Sequence, residues 1–527
     1  MIKNIFLCVV VAISLSSCEL TVSPTDKYDQ ETFWLGAKTA KAGLTGCYAA
    51  LKDQYLFGNG SPLWEESASS NAYNYDNRLG WNSVALGTQT PDLALFNGRW
   101  TAAYRGIGRC NALLDNIDKN QELSKPEIMQ MKAEARFLRA LLYQILITYY
   151  KDVPLILKEA ELEQKDYPRT AHAEVADFIL KELDEVATLL PVRYSQNGDI
   201  GRPTRGASLA LKARLLLFEA SPLLNPDHAT DRWEAAAAAA KQVMDLNTYS
   251  LNPNYRQLFL LSGENGRESI FDIQNVNEPN LGSSFDITLR QYNNAAPLKD
   301  LEDAYWMIDG KPRASSSFAN SAAYENLDPR FKMTIVYPGS TFMGETVKTN
   351  GSNIVFKVIQ TGYTFKKYSI YDAAAVTTEQ AQIGENMSEI NYMVLRYADI
   401  LLMYAEAMNE LGRLDATTWA NTIGEIRKRV GFTAPTALSF PGADQNLLRT
   451  HIRYERRVEF AGEGLYYNDL RRWKLAEKEM NQSIKKFDGA IIISRSFNPA
   501  RDYWWPVSSS QIELNPNLKP NNPGWGE

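Results

Sequence analysis

Aromatic side chains stand among amides and charged groups between residues 58 and 97. The sequence there reads GNGSPLWEESASSNAYNYDNRLGWNSVALGTQTPDLALFN. This mixture suits a sugar, because the C–H face of the sugar stacks on an aromatic ring while its hydroxyls pair with polar groups. The alternative is that the aromatic side chains pin a long loop to its scaffold. The residues of this stretch that we predict to face a ligand are Trp64, Tyr73, Tyr75, Asp76, Asn77, Arg78 and Trp81.

Two further stretches, 275–296 and 338–391, are also rich in aromatic residues. Like 58–97, each is longer than roughly 12–15 residues, and structured loops of that length are commonly functional. In 338–391 the aromatic residues alternate partly as in a strand, so packing explains them better. In and just after 275–296, tyrosine and tryptophan again stand beside amides and a guanidinium. The ligand-facing candidates there are Arg290, Tyr292, Asn293 and Trp306.

Sequence motifs of catalysis are missing from the chain. It contains no HExxH, GxSxG, P-loop or CxxC motif. Its three histidines, His172, His228 and His451, are widely separated, which argues against a histidine-rich metal centre. We therefore predict that the protein is not an enzyme and uses no metal ion or cofactor.

The composition excludes some classes of partner. The 527 residues carry a formal net charge of −6, so the chain has no overall basic surface for nucleic acid. Hydrophobic residues make up 45% of the chain, which is ordinary for a globular protein with a large core.

The N-terminus has the pattern of an export signal. Lys3 precedes an apolar segment at residues 5–15 that is too short to span a bilayer. Two serines then lead into Cys18, as in a bacterial lipoprotein signal. We predict that residues 1–17 are removed, that Cys18 carries acyl chains, and that residues 18–32 form a tether. The alternative is a plain secretory signal with an incidental cysteine.

Two other cysteines remain in the mature chain. Cys47 and Cys110 both fall in helical patterns. In an exported protein they are either a disulfide pair or two buried thiols, and the sequence leaves both open.

Long helical patterns alternate with the three aromatic stretches and must position them. The strand signals are few and short, at 269–274, 332–336 and 354–359. The predicted helices cover residues 33–57, 98–118, 124–150, 171–189, 204–221, 230–246, 395–412, 415–430, 444–461 and 464–482.

Several of these helices form pairs. The segment LMYAEAMNELGRLDA at 402–416 resembles one helix of a tetratricopeptide repeat and its turn. We predict a mainly α protein, a tetratricopeptide-like helical-repeat superhelix with long loop-rich insertions and a few short strands. An unrelated helical bundle is the alternative. We expect one composite domain, 33–527, with its helical scaffold at 33–57, 98–246 and 395–482.

A highly charged segment, RYERRVEFAGEGLYYNDLRRWK, covers residues 453–474. Its acidic residues are interleaved with arginines at helical spacing. We predict that these charges form an internally paired, partly buried network and that they are not a basic binding patch.

Six ordered blocks resemble the SusD/RagB family of outer-membrane nutrient-binding lipoproteins of Bacteroidetes. Lys151, where glycine is usual, is a departure that concerns a turn. The blocks are WTAAYRGIGRCNALLDNI (100–117), EARFLRALLYQILITYYKDVPL (134–155), RPTRGASLALKARLLLFEASPLLN (202–225), LRYADILLMYAEAMNELGR (395–413), ERRVEFAGEGLYYNDLRRWK (455–474) and YWWPVSSSQIELNPNLKPNNPGW (503–525).

The resemblance implies a tetratricopeptide-like scaffold with a loop-rich ligand face. It also implies a cell-surface lipoprotein that binds oligosaccharide or polysaccharide without cleaving it and docks on a SusC-like TonB-dependent transporter. The matching blocks are scaffold, and ligand residues in this family lie in variable loops, so no site residue is transferred from it.

Three other functions remain open. RagB-like members are associated with peptide import, so the first is a peptide-binding subunit of a RagAB-like system. The second is a surface glycosidase, which would release new reducing ends. The third is a structural surface protein, which would bind no soluble ligand.

Overall fold

A computed structural model describes residues 32–159, 166–194 and 196–526 of the chain. It is 47% helix and 7% strand, which confirms the mainly α prediction. The predicted signal peptide, the lipidated Cys18 and all but the last residue of the tether lie outside the described residues. The division into scaffold and insertions stays a prediction.

The long helices follow the predicted helices closely. They are α1 (Ala37–Ala50), α2 (Ala94–Asn116), α3 (Lys125–Tyr150), α4 (His172–Leu189), α5 (Arg205–Ala220), α6 (Thr230–Asp245), α7 (Tyr397–Glu410) and α8 (Gln445–Glu459). Shorter helical segments are Ser61–Glu66, Trp81–Leu86, Phe285–Ile287, Lys299–Ala304, Arg330–Thr334, Thr378–Ala381, Ala416–Ala420, Ile423–Arg429, Pro435–Leu438, Tyr466–Arg472, Ala476–Glu479 and Ser509–Leu514.

Three of the long helices, α3, α5 and α8, start at a capping side chain. Ser124 and Glu127 form a capping box at the start of α3. Thr204 caps α5 and Asp444 caps α8 through hydrogen bonds from backbone N–H groups. The predicted helices at 415–430 and 464–482 are each divided into two short helices.

Consecutive long helices pack side by side from α2 through α6, and α7 returns to pack on α6 and α8. Gly106 lets α2 approach α3 closely, because a Cβ atom there would lie 2.5 Å from Cδ1 of Leu142. This arrangement of neighbouring helices confirms a helical scaffold. The tetratricopeptide-like detail stays a prediction.

The described strands form five antiparallel pairs, β1–β3, β2–β8, β4–β7, β5–β6 and β9–β10. The strands are β1 (Ala72–Tyr73), β2 (Ser269–Ile273), β3 (Ala296–Pro297), β4 (Ile335–Val336), β5 (Thr341–Phe342), β6 (Glu345–Thr346), β7 (Thr364–Phe365), β8 (Tyr392–Arg396), β9 (Ser483–Lys485) and β10 (Ile491–Ser494).

One of the three strand predictions is confirmed, by β2. The prediction at 332–336 is partly wrong, because a helical segment occupies Arg330–Thr334 and only β4 follows it. The prediction at 354–359 is wrong, since none of these residues lies in a strand and Ile354 is 86% exposed. Short apolar runs do not distinguish strands from irregular segments.

The charged segment 453–474 joins a buried network, as predicted. Glu459 accepts hydrogen bonds from Arg396 and Arg429 at one carboxylate oxygen and from Arg330 at the other. Arg456 binds Asp469 at 3.1 Å. These side chains are almost completely buried, so each charge depends on its partners.

Cys47 and Cys110 are free thiols, and both are buried. A hydrogen bond with Cys47, together with burial, raises the pKa of the Cys110 thiol well above its ordinary value. Of the two possibilities, the structure therefore has two neighbouring buried thiols.

Candidate ligand-binding site

A two-residue ladder joins the first and second aromatic stretches. In it, Ala72 of β1 pairs with Pro297 of β3, and Tyr73 pairs with Ala296. Just beyond the ladder, the backbone N–H of Leu298 donates a 3.0 Å hydrogen bond to the carbonyl of Asn71. The ladder brings residues 74–78 beside residues 288–294, which are more than 200 positions away in the sequence.

Tyr292 ends a turn of π-helix at Thr288–Tyr292. Single π turns of this kind are frequent at functional sites. Asn293 then adopts a left-handed conformation with φ 46°, which asparagine tolerates better than most residues. The buried Asn293 amide donates to the carbonyl of Tyr363 at 3.1 Å. The turn is thereby fixed, and Tyr292 is left half-buried at the surface.

Arg78 lies between two aromatic rings. Its Cζ atom is 5.4 Å from the ring centroid of Tyr292 and 5.6 Å from that of Trp64. Both distances are within the range of cation–π contacts. The side chain of Asn74 holds the Arg78 backbone by accepting from its N–H at 2.9 Å and donating to its carbonyl.

A chain of hydrogen bonds links the surface to the interior beneath it. Asn294 donates to the Asp76 carboxylate at 2.9 Å, and its amide oxygen accepts from the indole N–H of Trp64 at 2.9 Å. Asp76 also lies 3.7 Å from the guanidinium of Arg78. The position of Asp76 is therefore set by groups from both stretches.

The third stretch contributes Glu385. Its carboxylate accepts a 2.9 Å hydrogen bond from the Tyr292 hydroxyl. That bond raises the pKa of Tyr292, with burial, the charge of Glu385 and the nearby phenol of Tyr75 adding to it. No sequence motif marks Glu385, and the aromatic pattern of its stretch indicates packing.

We call the exposed part of this arrangement the tyrosine surface. Tyr75 is its most exposed ring, with 38% of its area accessible. Two ring faces, two carboxylates and one guanidinium give it both stacking and hydrogen-bonding capacity. The tyrosine surface consists of Tyr75, Asp76, Arg78, Tyr292 and Glu385.

Two predicted ligand contacts are wrong, because Trp64 and Trp81 are only 1% and 0% exposed. The Trp64 ring lies under Arg78. The Trp81 ring packs 5.6 Å from that of Trp505 and also contacts the guanidinium of Arg99 at 5.1 Å. A buried indole offers no face to a sugar, so both tryptophans hold the loop in place.

The other predicted residues are placed around or away from the tyrosine surface. Arg290 and Asn293 are buried, which corrects the prediction that they face a ligand. Tyr73 is half-buried in β1. Asn77 is exposed, but its amide is occupied by two hydrogen bonds to Ser83.

Trp306 is also taken up by internal packing. Its ring stacks on that of Tyr454, with centroids 4.0 Å apart and planes inclined by 10°. The ring of His451 meets it edge-on at 4.9 Å. Trp306 therefore packs against α8.

Within residues 32–159, 166–194 and 196–526, no group of three or more metal-ligating side chains is gathered together. In the same residues, no helix has the length and apolarity needed to cross a membrane.

Residues 262–525 match the model of the SusD family. That match covers half of the chain. The chain belongs to the SusD family. Residues 27–217 match a second model, described as starch-binding associating with outer membrane. The family is thus one of carbohydrate-binding proteins associated with the outer membrane.

SusD-family relatives are similar over almost their whole length. SusD-like protein P38 of Formosa agariphila is 26% identical, with 99% of each chain covered. SusD-like protein P25 of the same organism is 24% identical, with 90% of each chain covered.

Solved structures of SusD-like proteins have the same fold. A SusD-like carbohydrate-binding protein from Bacteroides fragilis is 27% identical, with a TM-score of 0.79 over 93% of this chain and 100% of that one. A protein titled laminarin-binding SusD-like protein is 23% identical, with a TM-score of 0.67 over 93% of this chain and 100% of that one.

Proposed function

We propose that this SusD-family protein captures an oligosaccharide or polysaccharide at the cell surface and passes it uncleaved to a SusC-like TonB-dependent transporter. The observation that carries the proposal is the tyrosine surface, where three loops distant in sequence converge. The family description and the carbohydrate-binding and laminarin-binding neighbours support a glycan as the ligand.

The tyrosine surface has a role for each kind of group. The ring of Tyr75 stacks on the C–H face of a sugar, and the half-buried ring of Tyr292 supports the neighbouring unit. Asp76 and Glu385 accept hydrogen bonds from sugar hydroxyls, and Arg78 donates to them. Binding is weak for each sugar, because a flexible chain loses entropy when it is ordered.

In this proposal, lipidation at Cys18 keeps the tyrosine surface close to the transporter. Acyl chains on Cys18 hold the protein at the outer membrane. A Cys18→Ala variant should therefore leave the membrane fraction and appear in the soluble fraction of fractionated cells. Wild-type protein solubilised in detergent should co-purify with the transporter barrel. Elution of the wild-type protein alone would contradict the partnership.

Affinity gel electrophoresis through a panel of polysaccharides tests the binding. We expect one glycan to retard the wild-type protein and expect Tyr292→Ala and Tyr75→Ala each to lose most of the retardation. Stacking contributes on the order of 1 kcal/mol, or about fivefold in affinity. Phe318→Ala is the matched control, because Phe318 is 37% exposed and Tyr75 is 38% exposed.

Other outcomes select the other functions. Retardation that short peptides abolish would favour peptide import. New reducing ends in the incubated polysaccharide would identify a glycosidase. Equal retardation of the wild-type protein and both tyrosine variants would leave glycan binding but remove the tyrosine surface as its site.

A further inference from the structure

A pocket lies among helices α6, α7 and α8. None of these helices contributes a residue to the tyrosine surface. The pocket has a volume of about 340 Å³, which is ample for a small organic acid, since one water molecule takes up about 30 Å³. Trp233 of α6, Glu410 of α7 and Arg453 of α8 line its walls. The exposed His228 also lines it.

Arg453 is an exception within the paired segment 453–474. Its Nε atom is buried and has no hydrogen-bond partner. No residue in the described part of the chain forms a hydrogen bond or an ion pair with its guanidinium. Its Cζ atom instead lies 5.2 Å from the ring centroid of Trp473. The half-buried guanidinium lines the pocket without an acceptor of its own, so it is suited to an incoming acceptor.

The two carboxylates nearest to the pocket are already occupied. Glu410 holds Arg449 through two hydrogen bonds of 2.7 Å each. Glu406 accepts from both terminal nitrogens of Arg472 and from the indole N–H of Trp473. Arg453 therefore forms no direct ion pair with either carboxylate of the pocket.

We propose that this pocket binds a small carboxylate and that the guanidinium of Arg453 is its anchor. Arg453 is the arginine of the pocket lining that has no ion-pair partner among the described residues, so one ligand carboxylate would pair with it. The planar guanidinium fork also matches a carboxylate in shape. Phosphate carries more negative charge than this pocket can balance, because the carboxylates of Glu406 and Glu410 stand close by.

The apolar walls define the rest of the ligand. Ile452, Trp233 and Trp473 supply apolar surface around the charged anchor. A carboxylate attached to a compact ring, such as a free sugar acid, satisfies both features. This site takes a single small anion, whereas the tyrosine surface takes a longer chain.

Isothermal titration calorimetry with glucuronate tests the proposal, with glucose and inorganic phosphate as companion probes. We expect glucuronate to bind and glucose not to bind. Arg453→Ala should weaken glucuronate binding about tenfold or more, since a charge-assisted hydrogen bond is lost. Arg453→Lys keeps the positive charge but loses the two parallel N–H donors of the guanidinium, so it should weaken glucuronate binding severalfold. It also provides a test if Arg453→Ala does not fold.

A gain-of-affinity variant and two controls complete the design. Glu410→Gln should tighten glucuronate binding about threefold, because Arg449 would lose its carboxylate partner. Arg413→Ala removes an exposed arginine that pairs with Glu234 and should change nothing. Tyr292→Ala should also leave glucuronate binding unchanged, which separates this pocket from the tyrosine surface.

Three results would overturn the proposal. They are a wild-type protein that does not bind glucuronate, equal glucuronate affinity in the wild type and the folded Arg453 variants, and tighter binding of phosphate than of glucuronate.

Discussion

The buried charged network around Glu459 and the tyrosine surface contain the same kinds of ionic group in different surroundings. Glu459 is completely buried, and Arg330 and Arg396 beside it are at most 2% exposed. At the tyrosine surface, the Arg78 and Asp76 side chains retain 34% and 27% of their exposure. One set of charges is sealed inside the protein, and the other remains in contact with solvent.

This difference in solvent contact decides what each set contributes. Removing one partner from a buried ion pair leaves an uncompensated charge in a medium that solvates it poorly. An exposed pair such as Asp76 and Arg78 contributes at most about 1 kcal/mol to stability. The charges of the tyrosine surface can therefore exchange their partners for a ligand without weakening the fold.

The largest expected effect comes from Glu459→Gln in the buried network. It would leave guanidiniums of Arg330, Arg396 and Arg429 without their shared carboxylate. We expect the free energy of unfolding to fall by roughly 5 kcal/mol, measured by urea denaturation. Asp76→Asn is the surface counterpart and should cost less than about 1 kcal/mol. Similar losses of unfolding free energy in the two variants would show that burial does not distinguish the charges of the two regions.

Trp81→Ala tests the assignment of that tryptophan to the core. Truncating a buried tryptophan leaves a cavity, so we expect a loss of roughly 4 kcal/mol in unfolding free energy. Tyr75→Ala should cost no more than about 0.5 kcal/mol, because Tyr75 is an exposed side chain. A folded Trp81→Ala protein of unchanged stability that has lost glycan retention would instead support a direct ligand contact.

Asp399 gives the network a dependence on pH. Burial opposes its ionisation, but Arg214 and Arg456 outweigh burial and lower its pKa to about 2. Because the folded-state pKa lies below the ordinary 3.8, the stability that this group contributes is present above about pH 4 and is lost as the pH falls towards 2.

The contribution of Asp399 is about 2 kcal/mol. Urea denaturation at a series of pH values, with Asp399→Asn as the reference, measures it. The stability gap between the two proteins should narrow between pH 4 and pH 2. A difference in unfolding free energy that stays constant between pH 4 and pH 2 would show that ionisation of Asp399 does not stabilise the protein.

The smallest effect is expected from Tyr292→Phe. The ring stays, and the hydroxyl that donates to Glu385 is lost. We expect glycan affinity to fall by about 1 kcal/mol or less, because one exposed hydrogen bond contributes no more than that. Affinity electrophoresis beside Tyr292→Ala measures it. Equal losses in the two variants would assign the binding to the hydroxyl and not to the ring.

The scaffold could be predicted from sequence because its signals are local. The helical pattern predicts a helix at 124–150, and α3 spans Lys125–Tyr150. The site could be predicted only in part. Tyr75 and Tyr292 were both candidates because they stand in long aromatic loops, and the structure brings them together at one surface, which the sequence did not predict. Trp64 and Trp81 have the same local composition as Tyr75, and only the tertiary fold decides which rings are buried. Glu385 is marked by nothing local, because its partner is 93 positions away.

The short ladder between β1 and β3 has a consequence for how such a protein can diversify. The pairing of Ala72–Tyr73 with Ala296–Pro297 depends on main-chain atoms and not on the side chains that follow. Mutations at positions 75 or 292 can thus alter the chemistry of the tyrosine surface while the loops keep their alignment. Substitutions at a few exposed positions are therefore enough to change binding specificity during evolution, because the backbone pairing that aligns the loops is unaffected by them.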